Sequence, residues 1–284
     1  MRQSRARGVA PPHLETQRFL TGPIPQRPTG VLCGGMEFRF GQTAIRLTHP
    51  DAASLLEAVG ARLSARQGFA LATLNLDHLV KLGRDAAFRG AYAAQDFVVA
   101  DGNPVVWLAA LGGQRVALVP GSDLVVPLAR MAAAKGASVA LLGTTETALS
   151  AAAGRLQSEA PGLNVARRIA PPMGFDPDSA EARAILAQLE ADRVGLCFLA
   201  LGAPKQERLA ALGRQIAPSV GFASIGAGLD FLAGTQTRAP AWARAIAMEW
   251  AWRMLSAPRR LVPRYAACAA ILPGQAWQAW RQRR

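Results

Sequence analysis

The 284-residue sequence predicts an α/β protein: a Rossmann-like parallel sheet with helices on both faces, preceded by a β-hairpin and followed by an Arg/Trp-rich helical appendage. Between residues 69 and 225, short continuous apolar runs alternate with longer helical segments. Strands that are apolar on both faces belong to a parallel sheet covered on both sides. The flanking regions break that rhythm in opposite ways. Residues 36–47 alternate apolar and polar around Gly41-Gln42, whereas residues 238–284 hold nine arginines, Glu249 as the sole acid and five of the six tryptophans.

Residues 1–30 scatter Arg2, Arg5, Arg7, Arg18 and Arg27 among Pro11, Pro12, Pro23, Pro25 and Pro28, which predicts an irregular, disordered lead. Residues 36–40 and 43–47 are the predicted hairpin strands. Thr48-His49-Pro50-Asp51 has the hydroxyl-to-acid spacing of a capping box, opening a helix through Leu55, Leu56, Val59 and Leu63. Strands are then expected at 69–74, 97–100, 138–142, 164–169, 195–201 and 221–225, with helices between them. The expected organisation is a lead (1–30), a Rossmann-like domain (31–237) and a basic, Trp-rich appendage (238–284).

Lys and Arg total 32 against 19 Asp and Glu, a formal charge of +13. Such an excess suits a polyanionic partner or an anionic surface, leaving nucleic acid, a phosphorylated substrate and an acidic membrane open. Only Lys81, Lys135 and Lys205 are lysines, and an Ala- and Arg-rich composition also follows from coding bias. Cys33, Cys197 and Cys268 are widely separated, so neither a disulfide framework nor a thiolate metal site is suggested, and a reducing compartment fits. His13, His49 and His78 have no zinc spacing. Early prolines interrupt any secretory leader, and the charge-free stretch 265–280 falls short of the ~20 apolar residues a spanning helix needs. A soluble or peripheral protein is expected.

In an open parallel sheet, ligands bind beyond the carboxyl ends of the strands, where helix N-termini present N–H groups to anions. The polar and Gly-rich strings fall at those ends. They are Thr73-Leu74-Asn75, Asp101-Gly102-Asn103-Pro104, Gly143-Thr144-Thr145-Glu146, Pro171-Pro172-Met173-Gly174-Phe175, Gly202-Ala203-Pro204-Lys205-Gln206-Glu207 and Gly226-Ala227-Gly228-Leu229-Asp230. Asp101 ends an apolar strand and suits a general base, or else an N-cap. Gly143 with its following hydroxyls suits a phosphate, or an ordinary strand-to-helix turn. Lys205 and Gln206 suit phosphate or sugar hydroxyls, or a solvated helix start. Asp176-Pro177-Asp178 looks like a metal-holding pair but reads better as helix capping. No complete dinucleotide fingerprint, P-loop or G-x-S-x-G is present. In the tail, Trp242, Trp250, Trp252, Trp277 and Trp280 beside Arg244, Arg253, Arg259, Arg260 and Arg264 suit an anionic lipid interface, helix packing on the domain, or single strands of nucleic acid.

Taken in order, the strings resemble the WecG/TagA/CpsF family of bacterial glycosyltransferases. To those above the resemblance adds Ala100-Asp101-Gly102, Pro120-Gly121-Ser122-Asp123-Leu124, Leu141-Leu142-Gly143, Arg238-Ala239-Pro240, Glu249-Trp250 with Arg253, and Pro258-Arg259 leading to Arg264-Tyr265. It departs at Leu118, where the family has an arginine before its Val-x-Gly; Arg115 lies three residues earlier.

The resemblance implies an inverting, metal-independent transfer of a sugar from a UDP-sugar to a polyprenyl-diphosphate-linked saccharide, without a cofactor. The enzyme would be cytoplasmic, peripheral on the inner face of the plasma membrane, and would serve exopolysaccharide or other cell-envelope polysaccharide synthesis. Asp101 is then the expected catalytic base, with Thr73, Asn75 and Gln206 lining the site. Gly102, Gly143, Lys205, Asp230, Arg238, Arg253 and Arg259 complete the expected substrate-binding set. The appendage would dock on an anionic membrane surface, no nucleic-acid partner is expected, and a homo-oligomer is compatible with the sequence. The competing reading is a non-catalytic nucleotide- or nucleic-acid-binding protein with a basic tail.

Overall fold

A computed structural model describes residues 35–236, 252 and 258–283. The lead at 1–30 lies outside the described residues, as do Arg238, Trp242, Arg244, Trp250 and Arg253. The chain opens with β1 (Glu37–Phe40) and β2 (Thr43–Arg46), an antiparallel pair pairing Phe38 with Ile45. Their apolar side chains face inward, and Phe38 and Ile45 are buried with Met36 and Leu47.

Helix α1 (Ala52–Ser64) follows, and its cap differs from the expected box. Asp51 is the N-cap, accepting from the Ser54 N–H at 2.9 Å. Thr48 instead crosses to the sheet: its Oγ1 accepts from Val98 N–H at 2.8 Å and donates to the Val98 carbonyl at 3.2 Å. The hydroxyl thus ties the hairpin to a strand fifty residues away.

Next come β3 (Phe69–Leu74), α2 (Leu76–Arg84), α3 (Ala86–Ala93), β4 (Phe97–Ala100), α4 (Asn103–Leu111), α5 (Gly121–Ala134), β5 (Val139–Gly143), α6 (Glu146–Glu159) and β6 (Val165–Ile169). The series closes with α7 (Ala180–Ala191), β7 (Leu196–Ala200), α8 (Lys205–Ile216), β8 (Gly221–Ser224) and α9 (Gly228–Ala233). The six strands β3 to β8 form one parallel sheet in the order β4-β3-β8-β7-β5-β6. Five of them are buried along nearly their whole length; β6, at the edge, exposes Arg167 and Arg168. All carboxyl ends therefore point one way, and every Gly-rich string lies on that edge.

Alternation along the strands divides the core. Phe69, Leu71, Val99, Leu141, Phe198 and Ala223 pack with α1, α5, α6 and α9 on one face. On the other, Ala70, Leu142, Cys197 and Phe222 pack with α7 and α8. Ala72, Leu74, Val98 and Ala100 on that same side pack with the hairpin, α2, α3 and α4. A final helix, α10 (Pro258–Gln282), joins this last cluster, burying Ala279 and packing Ile271, Leu272 and Ala276 against it. Gln282 fastens its end to β1, donating to the Glu37 carbonyl at 2.6 Å and accepting from its N–H at 3.0 Å. No described helix is long and apolar enough to cross a membrane.

Candidate active site

The parallel register of β3 and β4 sets Leu74 beside Ala100, and Asp101 N–H continues the ladder to the Leu74 carbonyl at 2.8 Å. Thr73 and Asp101 emerge on the same face, and Thr73 Oγ1 donates to Asp101 Oδ2 at 3.1 Å. Thr73 is buried to 4% exposure, so this bond fixes the carboxylate from a rigid strand. Asp101 does not cap the following helix. That place belongs to Gly102, which makes no side-chain cap and adopts φ +125°, where a side chain is strained.

Asn75 closes the group from the β3 end. A Cβ placed on Gly102 would lie 3.8 Å from Asn75 Cβ. Asn75 also has local work, capping α2 by accepting from His78 N–H at 3.0 Å. Behind it, His78 Nδ1 and Tyr92 Oη are 3.1 Å apart in the interior. Burial above all, reinforced by the Lys81 charge, lowers the His78 pKa to about 3, so the ring is neutral. Burial, with the nearby Glu207 and Asp101 charges, holds the Tyr92 phenol protonated.

The second wall is the start of α5. Gly121, its first residue, leaves a side chain only tight space: a Cβ there would meet Thr73 Oγ1 and Ile225 Cα, both at 3.2 Å. Glycine lets the helix N-terminus sit directly on the ends of β3 and β8. Pro120 provides no side-chain cap. The first N–H groups of α4 and α5 have no intrahelical acceptors, and both helices present their positive ends beside Asp101. Gly228 continues the packing, since a Cβ there would lie 2.8 Å from Val125 Cγ2 and 3.3 Å from Ser122 Cα.

Gln206 stands in the first turn of α8, at 3% exposure. Its Oε1 accepts from Gly226 N–H at 3.2 Å and its Nε2 donates to Glu207 Oε1 at 2.9 Å. Lys205, the first residue of α8, is half-buried. Gly143 and Asp230 serve packing that the sequence does not reveal. A Cβ on Gly143 would lie 2.3 Å from the Ala200 carbonyl oxygen, so its close approach is to β7. Asp230 accepts from Thr144 Oγ1, from Thr235 Oγ1 at 3.3 Å and from Gln236 Nε2 at 3.2 Å, joining α9 to the loop after β5.

The strand ends thus bring Thr73, Asn75, Asp101 and Gly102 together, with Gln206 reaching Gly226 beyond β8. Arg238 and Arg253 lie outside the described residues. Arg259 is exposed in the first turn of α10. Five residues on, Arg264 pairs with Asp77 at 2.8 Å, bringing α10 to the first turn of α2, two residues past Asn75. Asp77 also pairs with Lys81 at 2.9 Å, whose Nζ reaches the Ala203 carbonyl at 3.1 Å. Leu118 is 42% exposed, and Arg115 is exposed as well. In the Asp176-Pro177-Asp178 string, Ser179 rather than an aspartate caps α7; Asp176 accepts from Asp178 N–H and Asp178 pairs with Arg208. Among the described residues, no three His, Cys, Asp or Glu side chains cluster as metal ligands. Sequence reasoning placed Gly121, Arg264 and Glu207 within quoted strings but gave none of them a role and did not pair Asp77 with Arg264; Glu207, three residues after Pro204, reads there only as part of a helix start.

A strand-end carboxylate beside two helix N-termini lies on the carboxyl edge of a parallel sheet, where open α/β folds bind their ligands, and the comparisons with known proteins make the chain a glycosyltransferase. The profile described as "Glycosyl transferase WecG/TagA/CpsF family" matches residues 42–284, so the chain belongs to that family. It is 24% identical over 206 residues to the N-acetylglucosaminyldiphosphoundecaprenol N-acetyl-beta-D-mannosaminyltransferase of Bacillus subtilis (strain 168), covering 70% of this chain and 78% of that one.

Proposed function

We propose that this glycosyltransferase is inverting and metal-independent, and moves a hexose derivative from a UDP-sugar to a polyprenyl-diphosphate-linked saccharide in exopolysaccharide or other cell-envelope polysaccharide synthesis. The Thr73–Asp101 pair at the strand ends is the observation that carries this reading. An acceptor hydroxyl attacks an anomeric carbon poorly until its proton has somewhere to go. Asp101 takes that proton as the acceptor oxygen bonds to the anomeric carbon from the face opposite the donor diphosphate. The bond from that carbon to the diphosphate breaks, UDP leaves with the electron pair, and the configuration inverts. Thr73 holds the base in one rotamer. The N-termini of α4 and α5, Gly102, Lys205 and Gln206 bind the donor, and Arg238, Arg253 and Arg259 from the tail offset the charge that develops on the diphosphate. Asn75, Gly143 and Asp230 shape the donor pocket, the last two by holding its loops.

The mannosaminyltransferase relative makes a polyprenyl-diphosphate acceptor bearing N-acetylglucosamine the first to try. The test is labelled-sugar transfer and UDP release from UDP-glucose, UDP-N-acetylmannosamine and its uronic acid onto short-chain acceptors in detergent. Transfer from one donor is expected. No transfer from any of them, together with tight, salt-sensitive binding of nucleic acid, would replace the enzyme reading by the polyanion-binding one.

Such an acceptor lies in a bilayer, and α10 supplies a surface for it at the inner membrane face. At 100° per residue, Val262, Ala266, Ala269, Ala270, Pro273, Trp277 and Trp280 fall within an arc of roughly 100°, opposite the buried Leu261, Cys268, Gln275 and Ala279. Trp277 and Trp280 are 60% and 41% exposed, with ring centroids 5.3 Å apart. Arg259, Arg281 and Arg283 flank this stripe, and residues 258–284 contain no acid. An apolar outward stripe with arginine at its margins suits an anionic bilayer, each arginine adding about 1 kcal/mol near the surface. Replacing Trp277 and Trp280 together by serine is expected to weaken co-sedimentation with phosphatidylglycerol vesicles at least about tenfold. Transfer to a water-soluble, short-chain acceptor should be unchanged. Equal sedimentation of both proteins would remove α10 as the docking surface.

A further inference from the structure

Glu207 is fully buried at 0% exposure, yet it forms no ion pair among the described residues. One oxygen accepts from Gln206 Nε2 at 2.9 Å; the other, Oε2, has no hydrogen-bond partner among the described residues. A half-satisfied buried carboxylate is costly, and the hydrophobic shell around it does nothing to offset the cost. The elements packed round it present few polar groups. They are Lys81 and His78 on α2, Tyr92 and Gln95 on α3, Cys197 on β7 and Ser224 on β8, while the buried face of α7 is Ala182, Leu186 and Leu189. Phe222 contacts α8 at Gly213, so alternation along β8 turns Ser224 toward the same helix, nearer its first turn.

What the carboxylate does there is set an amide. A glutamine side chain offers one acceptor and one double donor, and either orientation fills the same space. With Nε2 committed to Glu207, Oε1 must face Gly226 N–H, where it accepts at 3.2 Å. Gly226 follows β8 at φ +57° and leads into α9. The orientation of Gln206 and the shape of the turn beside the donor pocket are therefore one arrangement. We infer that Glu207 is a positioning residue of the transfer reaction: its buried carboxylate holds Gln206 in the single amide orientation that secures the Gly226 turn beside the donor pocket. This inference rests on the glycosyltransferase reading for its catalytic consequence, but the grip on Gln206 can be tested without turnover.

Burial raises the Glu207 pKa to about 7, against the lowering effects of the Gln206 bond, its own backbone N–H and the Lys81 charge. The sign is then fixed. A folded-state pKa raised above the ordinary value of 4.5 means that this group's contribution to stability is complete below about 4.5 and is lost as pH rises through about 7. The charged form strains the fold while making the stronger acceptor for Gln206.

The test compares wild type, Glu207→Gln, Gln206→Ala and the double variant as full-length proteins. The Gln206 side-chain amide signals, assigned by their loss in Gln206→Ala, should shift with a midpoint near pH 7 in wild type and stay fixed in Glu207→Gln. Glu207→Gln should melt higher than wild type at pH 8, with the difference vanishing near pH 5. With the best UDP-sugar and acceptor it should lose about tenfold in kcat while the donor KM stays within twofold, and it should add nothing in the Gln206→Ala background. Wild-type kcat and pH profile in Glu207→Gln, or an equal loss in both backgrounds, would overturn the inference. If no donor is turned over even by wild type, the glycosyltransferase reading fails, and a Gln206 amide that ignores pH near 7 then overturns the grip independently.

Discussion

Asp101→Asn is expected to lower sugar transfer about 10²- to 10⁴-fold, the range associated with a positioned general base. Asparagine preserves the shape and can still accept from Thr73 Oγ1, so the helix N-termini and the Thr73 contact at 3.1 Å should persist. What disappears is the group that takes the acceptor proton. The loss should therefore fall on kcat, and UDP affinity, read by calorimetry, should stay within a few-fold of wild type. Thr73→Val provides the complementary reading: it keeps the base and removes the bond that orients it, so a smaller loss is expected. Undiminished transfer by Asp101→Asn in an intact fold would remove Asp101 from the chemistry.

The second large effect concerns the frame. Gly143→Ala should destabilise the protein by about 3–6 kcal/mol, combining strain at an unfavourable φ with forced overpacking. Gly143 has φ +126°, and a Cβ would lie 2.3 Å from the Ala200 carbonyl oxygen, a backbone atom that cannot move without unpairing β5 from β7. Against a typical total of about 5–15 kcal/mol, that is a large share, and a fall in melting temperature on the order of 10 °C follows. Gly136→Ala is the control. Gly136 also has positive φ, at +63°, but nothing lies within 4 Å of the point a Cβ would occupy, so only about 1–2 kcal/mol is expected. Thermal unfolding followed by circular dichroism distinguishes the two; equal costs would show that the β5–β7 contact yields easily.

Gly143 also shows where sequence and structure part. A glycine after an apolar strand, followed by Thr144 and Thr145, reads equally as a phosphate loop or a turn, because both need the same backbone freedom. The fold shows the glycine pressed on β7, with Thr145 capping α6 and Thr144 joined to Asp230. The same holds at Thr48, whose spacing suits a cap but whose hydroxyl bonds to Val98. In each case the competing partners are distant in sequence.

The sheet was legible because burial on both faces forces continuous apolar runs, and the site edge was legible because strand ends in a parallel sheet share one side. Asp101 could be singled out on that ground, whereas Thr73 and Asn75 drew their expected roles from the family resemblance. The tail's arginine and tryptophan content was equally plain, but not its facing, since Leu261 and Val262 differ only in which neighbour they meet. Local order in the chain determined the strands, their common edge and the carboxylate that ends β4. Tertiary packing alone decided that α5 rests on Thr73 through Gly121, that α10 turns its apolar stripe outward, and that Glu207 is sealed beneath Gln206. Hydrophobic periodicity is a local property, whereas the choice of partner for a polar atom is settled by whatever the fold brings within about 3 Å of it.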